Sequence, residues 1–243
     1  MTTSTTRAGW RIPAALLLLS AVPVIAGAAR LTALSTGAEI TPDNARFFAV
    51  PLPVVAHIIS ATVYCCLGAF QFAPAFRRRR PGWHRAAGRV LVPCGLVAAL
   101  SGLWMAVCYP LPVFDGELLV VLRIVFGSAM IASLVLGLAA IRWRDIARHQ
   151  AWMIRGYAIG LGAGTQVLTH LPWAIAQSVP GEFTRAVLMG AGWVINLVVA
   201  ERIISRSRRR AAPDTGRLDS SGVRSATSRS RTPGTARSPR RAG

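Results

Sequence analysis

The four histidines are the residues of this 243-residue chain that could ligate a metal or exchange a proton near neutral pH. His57 and His170 lie near the ends of apolar stretches on one predicted side of a membrane, and His84 and His149 precede apolar stretches on the other. Two histidines at one depth on different helices can hold a haem iron between them. Each pair meets this condition, which is necessary for a b-type haem site but not specific to it.

His84 and His149, the pair predicted on the cytoplasmic side, are called the inner pair, and His57 and His170 the outer pair. The inner pair lies in two similar segments, residues 83–89 (WHRAAGR) and residues 149–155 (HQAWMIR), each of which carries an arginine at a predicted helix start. Helix N-termini attract anions, and an arginine strengthens that attraction. The segments could also bind a lipid phosphate or a quinone headgroup, or could be ordinary interfacial anchors. The inner candidate site comprises His84 and His149, as metal ligands only if haem is bound, with Arg89 and Arg155 as partners of the haem propionates.

The outer pair has a charged neighbour, Arg123, inside the fourth apolar stretch. At 1.5 Å per helical residue, Arg123 would lie roughly 5–9 Å below the membrane surface, where an ionisable group usually faces the bundle interior. Gln166 precedes His170 by four residues, so both lie on one helix face, which Thr169 extends. The outer candidate site therefore comprises His57, Arg123, Gln166 and His170. Alternatively, Arg123 extends to the headgroups and the histidines make interhelical hydrogen bonds.

The elements that must position these residues are six apolar stretches. The chain is 53% hydrophobic and 15% charged, against about 25% charged residues in ordinary soluble domains. Stretches of about 20 apolar residues match the bilayer core, and a helix is the form in which each satisfies its own backbone. We predict an all-α polytopic membrane protein, a six-helix transmembrane domain over residues 1–205, with helices at about 12–29, 54–76, 88–108, 118–141, 152–176 and 186–204.

The arginines predict the orientation of these helices. They follow the second stretch, at Arg77–Arg80, and the fourth, at Arg142, whereas residues 109–117 contain two acidic residues and no arginine. Positive residues mark the cytoplasmic side. The pattern predicts a multi-pass protein of the inner (plasma) membrane with both termini in the cytoplasm. The first stretch also fits a cleavable signal peptide, whose removal would leave five helices.

Residues 206–243 differ in composition from the rest of the chain. They are rich in Arg, Ser, Thr, Pro and Gly and contain few apolar residues. Such a segment cannot bury enough apolar surface to fold, so we predict a disordered cytoplasmic tail. Its charge favours anionic lipid headgroups, and nothing in it reads bases, so we expect no specific nucleic-acid partner. The sequence identifies no protein partner.

The chain resembles a group of predicted bacterial membrane proteins known as "domain of unknown function 2306". The resemblance covers roughly residues 45–175 and implies a multi-helix membrane protein in which His57, His84 and His149 recur. His170 is not part of that pattern, and the family implies no activity. The resemblance is carried by Arg46-Phe47, Pro53, His57, Gly68-Ala69-Phe70-Gln71-Phe72, Arg77–Arg80, His84, Gly88-Arg89, His149 and Trp152-Met153-Ile154-Arg155-Gly156-Tyr157.

A more distant similarity is to di-haem b-type cytochromes, which also have six helices with histidines at two depths. The fourth predicted helix departs from that pattern, because it contains Arg123 and no histidine. The similarity therefore concerns architecture and does not assign ligands.

Three functions remain open from the sequence. The first is a b-type haem protein that transfers electrons, favoured by the paired histidines and by Gly156, Gly160 and Gly164, which leave room for a macrocycle or for a neighbouring helix. The second is a carrier or binder of a small anionic or lipid-like molecule near Arg123. The third is a non-enzymatic structural or regulatory membrane subunit. The sequence contains no recognisable catalytic motif, so whether the protein is an enzyme stays open.

Overall fold

The computed structural model describes residues 4–73 and 80–211, and within these ranges all regular structure is helical. Arg77, Arg78 and Arg79 lie outside the described residues, as do residues 212–243 of the predicted tail. The elements are α1 (Ser4–Thr36), α2 (Ala45–Ala49), α3 (Pro51–Ala69), a 3₁₀ turn (Phe70–Phe72), α4 (Pro81–Cys108), α5 (Glu117–Arg142), α6 (Ile146–Gly160), α7 (Gly162–Ile175) and α8 (Glu182–Ala211).

Five of the described helical stretches are long and apolar enough to cross a membrane. No more than a third of the most apolar window of each is buried inside the protein, so most of the apolar surface faces outward, as lipid contact requires. The chain is therefore an all-α, multi-pass membrane protein. The five stretches are Trp10–Thr36, Pro51–Phe72, Pro81–Cys108, Glu117–Arg142 and Glu182–Arg210.

The predicted helix over residues 152–176 is not continuous. It is divided at Leu161 into α6, of 15 residues, and α7, of 14 residues, and neither reaches the roughly 20 residues that span a bilayer. Glycine has a low helix propensity, and here it lies on both sides of Leu161. Hydropathy records the apolar character of the stretch but not the interruption of its backbone.

Polar side chains satisfy the backbone around this break. The Asn196 amide of α8 donates to the Ala158 carbonyl at 3.0 Å, and its Oδ1 accepts from the Thr165 hydroxyl at 2.7 Å. The Cys65 thiol lies 3.7 Å from the Gly160 carbonyl and donates to it. Because lipid offers no hydrogen bonds, these contacts allow a helix to be interrupted inside the bundle.

The predicted boundaries also shift at the helix ends. α8 begins at Glu182 and continues through Ala211, so the helix includes the first six residues of the segment predicted as a tail. Its last turn contains Arg208, Arg209 and Arg210, cations that favour the negative end of a helix dipole. α1 and α4 likewise begin before their apolar stretches do, because helices continue beyond the apolar sequence that identifies them.

Close contacts between helices depend on glycines. α3 packs on α1 and α4, and α5 packs on α4 and α6. A Cβ atom at Gly160 would lie 2.7 Å from the ring of Tyr64, and one at Gly164 would overlap the backbone carbonyl of Leu19. At Gly160 and Gly164 a neighbouring helix therefore occupies the space that a side chain would need, and the packing brings α1, α3, α7 and α8 around one space.

Candidate functional site

A cavity of about 500 Å³ lies between the helices, at the end of the bundle that contains residues 109–116, which we call the Asp115 end. Its volume is within the range of about 300–1,000 Å³ typical of small-molecule sites. Most of its wall is apolar. The charged and polar side chains in that wall include Arg46, His57, Thr62, Tyr109, Asp115, Arg123, Gln166 and Arg185.

Asp115 is the electrostatic centre of this end. Its side chain is only 1% exposed, and its two oxygens accept hydrogen bonds from Arg123 Nη2 at 2.6 Å and from Arg185 Nε at 2.7 Å. Burial alone would raise the pKa of Asp115, but the charge of Arg123, the hydrogen bonds from both arginines and the charge of Arg185 together hold this pKa below its ordinary value. The carboxylate is therefore ionised at neutral pH.

Local structure brings these three residues together. The Asp115 amide donates to the Pro112 carbonyl in a turn, and Gly116, the N-cap residue of α5, follows immediately. Arg123 lies in the second turn of α5, and Arg185 lies in the first turn of α8. The sequence identified Arg123 but missed Asp115 and Arg185 as site residues. The available signal for Asp115 was its position eight residues before Arg123, an arginine within an apolar stretch. Arg185 is 70 positions from Asp115, and the sequence gave no signal for it.

His57 lies in the cavity wall with a fixed ring orientation. Its Nδ1 is 2.8 Å from the Ala98 carbonyl and 3.3 Å from Ser101 Oγ. A carbonyl oxygen only accepts hydrogen bonds, so Nδ1 carries the proton and Nε2 of the neutral ring has a lone pair. A Cβ atom at Gly102 would lie 3.2 Å from the His57 ring, so glycine at this position leaves the ring its space.

The remaining predicted outer residues separate into two environments. Gln166 lines the cavity and is buried, and its Nε2 donates to the Met189 carbonyl at 3.0 Å. His170 is not among the residues that line the cavity; its Nδ1 donates to the Gln166 carbonyl at 2.8 Å. Thr169 donates to the Leu188 carbonyl at 2.9 Å. The cavity therefore includes His57, Arg123 and Gln166 but not His170.

Arg46 adds a third guanidinium group to the cavity wall. It lies over the Phe47 ring at 4.6 Å from the centroid, and this ring packs edge-on against Tyr109 at 5.5 Å. Burial raises the pKa of Tyr109, while a backbone hydrogen bond from Val54 and the charge of Arg46 oppose the increase. Within residues 4–73 and 80–211, Arg46 makes no salt bridge to a carboxylate, so its charge is not neutralised there.

The inner candidate residues have separate partners. His84 Nδ1 donates to Gln71 Oε1, and His149 Nδ1 donates to the Gly137 carbonyl at 2.8 Å. Arg155 forms a two-bond ion pair with Glu201, at 2.5 and 3.0 Å, and Arg89 is exposed. The cavity at the Asp115 end contains neither inner histidine. In the part of the chain that the structure describes, no group of three or more His, Cys, Asp or Glu side chains could hold a metal ion.

Comparison with known proteins gives one family. A family model described as "Predicted membrane protein (DUF2306)" matches residues 54–204, which confirms the resemblance seen in the sequence. The matched region contains His57, Asp115, Arg123 and Arg185 but not Arg46. No curated protein and no solved structure matches the chain significantly.

The depressed pKa of Asp115 predicts an acid-dependent loss of stability. Since the folded-state pKa lies below the unfolded value of about 3.9, the carboxylate stabilises the fold above that pH, and this stabilisation is lost as pH falls through the folded pKa. We expect Asp115→Asn to reduce stability at pH 7 by about 2–3 kcal/mol. This is less than the roughly 3–5 kcal/mol for a fully buried pair, because Arg123 and Arg185 are 27% and 32% exposed.

The measurement is the thermal unfolding midpoint of the purified protein between pH 7 and pH 3. The midpoint temperature of the wild type should decrease once the pH is below about 4. The midpoint temperature of Asp115→Asn should already be lower at pH 7 and should change less with pH. Asp43→Asn, at an exposed loop position, is the matched control and should follow the wild type. An Asp115→Asn variant with the wild-type midpoint at pH 7 would contradict the assigned role of this ion pair.

Proposed function

We propose that this chain, which belongs to the DUF2306 family of predicted membrane proteins, binds or carries a small amphipathic anion in the cavity at its Asp115 end. The observation that supports this function is the charge of the cavity wall. Three arginines, Arg46, Arg123 and Arg185, line the cavity together with one carboxylate residue, Asp115. Uncompensated charge is expensive in a membrane protein and usually marks a ligand site.

The apolar wall supports a ligand with a hydrophobic body. Beside the arginines the cavity is bounded by aliphatic and aromatic side chains, so an entirely polar ion would leave this surface without a partner. A molecule with one acidic head and one apolar body matches both parts. The apolar residues that would contact its body include Ile58, Ala61, Leu103, Met130, Leu161 and Trp193.

Asp115 has a positioning role in this proposal. It engages one nitrogen of each neighbouring guanidinium, Nη2 of Arg123 and Nε of Arg185. An arginine has five N–H donors in a rigid fork, so each retains donors for an anion. The carboxylate thus fixes two arginines while neutralising the charge of only one.

Binding of decanoate by the protein in phosphatidylcholine nanodiscs is the direct test, measured by titration calorimetry against decanol as the uncharged probe. Ala61→Phe places a ring in the cavity without changing its charge, and we expect it to weaken decanoate binding at least tenfold. Ala132→Phe is the control, because Ala132 is exposed on α5 away from the cavity.

Arg123→Gln should also weaken binding, by about ten- to hundredfold, through loss of a charge-assisted hydrogen bond worth about 1.5–3 kcal/mol. Arg123→Lys keeps the positive charge beside Asp115. It serves as the control for the folding of Arg123 variants. Equal decanoate affinity in the wild type, Ala61→Phe and Arg123→Gln would reject the cavity as the binding site. Decanol binding as tight as decanoate binding would reject an anion site.

We infer that α6 and α7 together form a sixth membrane crossing and that the Asp115 end faces the outside of the inner membrane. The arginines of the opposite end, among them Arg85, Arg142 and Arg148, would then contact anionic lipid headgroups on the cytoplasmic side. We infer the same for the arginine-rich C-terminal sequence, with both termini in the cytoplasm.

Labelling of Cys108 tests this orientation. Cys108 is exposed at the end of α4 next to residues 109–116, and the other three cysteines can be changed to serine. A membrane-impermeant maleimide should label Cys108 in intact spheroplasts. Labelling only after the membrane is permeabilised would reverse the proposed orientation.

Haem binding by His84 and His149 is the second candidate function. The observation in its favour is the hydrogen bond from His149 Nδ1 to Gly137, which leaves Nε2 with a lone pair, the usual arrangement in iron-ligating histidines. Arg89 would partner a propionate, whereas Arg155 would have to do so beside its existing partner Glu201.

An absorption spectrum of the purified protein, oxidised and then dithionite-reduced, tests this function. A sharp reduced α-band that is lost in both His84→Ala and His149→Ala is the expected result for a haem protein, and a band kept in both variants would rule out these ligands. A featureless spectrum together with no anion binding would leave a structural or regulatory membrane subunit.

A further inference from the structure

We propose that the cavity at the Asp115 end selects a phosphate monoester with a single apolar chain, such as an alkyl or prenyl phosphate, over a carboxylate. The inference rests on the proposed anion-binding function and names its ligand class. It is carried by the charge of the cavity wall, the arrangement of its arginines and the size of its apolar part.

The charge balance favours a dianion. Three guanidinium groups against one carboxylate leave two surplus positive charges in the wall. A phosphate monoester carries about −1.5 to −2 charges at pH 7 and presents three strong acceptor oxygens. A carboxylate carries one charge and would leave one arginine uncompensated, which is costly beside lipid.

The charged residues near the cavity also favour a dianion. Glu182 lies next to Gly116 but is exposed and does not line the cavity, and Glu117 is also exposed. Arg30 lies over the Phe47 ring at 4.7 Å from the centroid, so a further positive charge stands near Arg46. Arg185 is in the first turn of α8, where the positive end of the helix dipole adds to its charge.

The arrangement of the arginines suits phosphate geometry. Asp115 holds Arg123 and Arg185 on its two oxygens, at 2.6 and 2.7 Å, so these guanidinium groups are fixed before a ligand binds. Arg46 comes from a different element, α2, and makes no salt bridge within the described ranges. Guanidinium forks recognise phosphate oxygens well, and three of them can each address one terminal oxygen.

The apolar part of the cavity limits the size of the ligand's apolar body. A cavity of about 500 Å³ has the size of a site for one drug-sized molecule, not of a cleft for a two-tailed phospholipid. Aliphatic and aromatic side chains from α3, α4, α5, α6 and α8 surround it, including Ile58, Leu103, Met130, Ile159 and Trp193. These features together indicate one phosphate head and one chain or ring system.

The test compares three ten-carbon probes in neutral-lipid nanodiscs: decyl phosphate, decyl methyl phosphate, which stays a monoanion, and decanoate, whose tenth carbon is the carboxylate. At pH 7.5 we expect decyl phosphate to bind at least about tenfold more tightly than either monoanion. At pH 5 its advantage over decyl methyl phosphate should largely disappear, because the second pKa of a phosphate monoester is about 6; decanoate, itself partly protonated at that pH, is compared only at pH 7.5. His57 also lines the cavity, and its protonation would strengthen the binding of both phosphates, so the diester corrects for it.

Arg46→Gln is the informative variant, because it removes a charge without breaking a salt bridge of the described structure. It should weaken the binding of decyl phosphate by a larger factor than that of decanoate, so that the two affinities become similar. Arg142→Gln, exposed at the far end of α5, should leave all affinities unchanged.

The outcomes separate the two proposals. Equal affinity for decyl phosphate and decanoate at pH 7.5 overturns the phosphate assignment and leaves the anion-binding function intact. Binding of decanol as tight as that of all three anions overturns both. A phosphate preference that survives Arg46→Gln unchanged overturns the charge argument on which the assignment rests.

Discussion

The buried carboxylate of Asp115 is the contact on which the Asp115 end of the bundle depends. A charge next to lipid is stable only when it is paired and hydrogen-bonded, and here two arginines from different helices share one carboxylate. The same contact therefore ties α5 to α8 and concentrates positive charge at the cavity. The ion pairs of Asp115 therefore contribute both to helix packing and to the charge of the cavity, so a change that breaks them affects both.

The interrupted helix is the second constraint, and it operates deeper in the bundle. Backbone groups near Leu161 require partners that lipid cannot supply, and Asn196 and Cys65 provide them from α8 and α3. Gly160, Leu161 and Gly164 consequently line the cavity instead of continuing one regular helix. The break thus contributes to the cavity wall, and the glycines that weaken the helix also admit Tyr64 and Leu19 close to it.

The sequence predicted the membrane class and the main spans because hydropathy and helix length are local properties. It also singled out Arg123 as an ionisable group within an apolar stretch, but left open whether its side chain faces the interior or extends to the headgroups. It did not reveal the pairing of Asp115 with Arg185, which joins positions 70 residues apart. Helical spacing correctly linked His170 to Gln166, whose carbonyl it contacts, but a shared helix face does not establish that both residues reach one cavity.

The surplus charge of the cavity would link the proposed anion binding to stability. Arg46 is stabilised by the Phe47 ring, a cation–π contact worth about 0.5–2 kcal/mol, and not by a carboxylate of the described residues. An anion bound beside the arginines, as proposed, would compensate this charge. Because a ligand that binds only the folded state stabilises it, the proposed anion would also raise the stability of the folded protein.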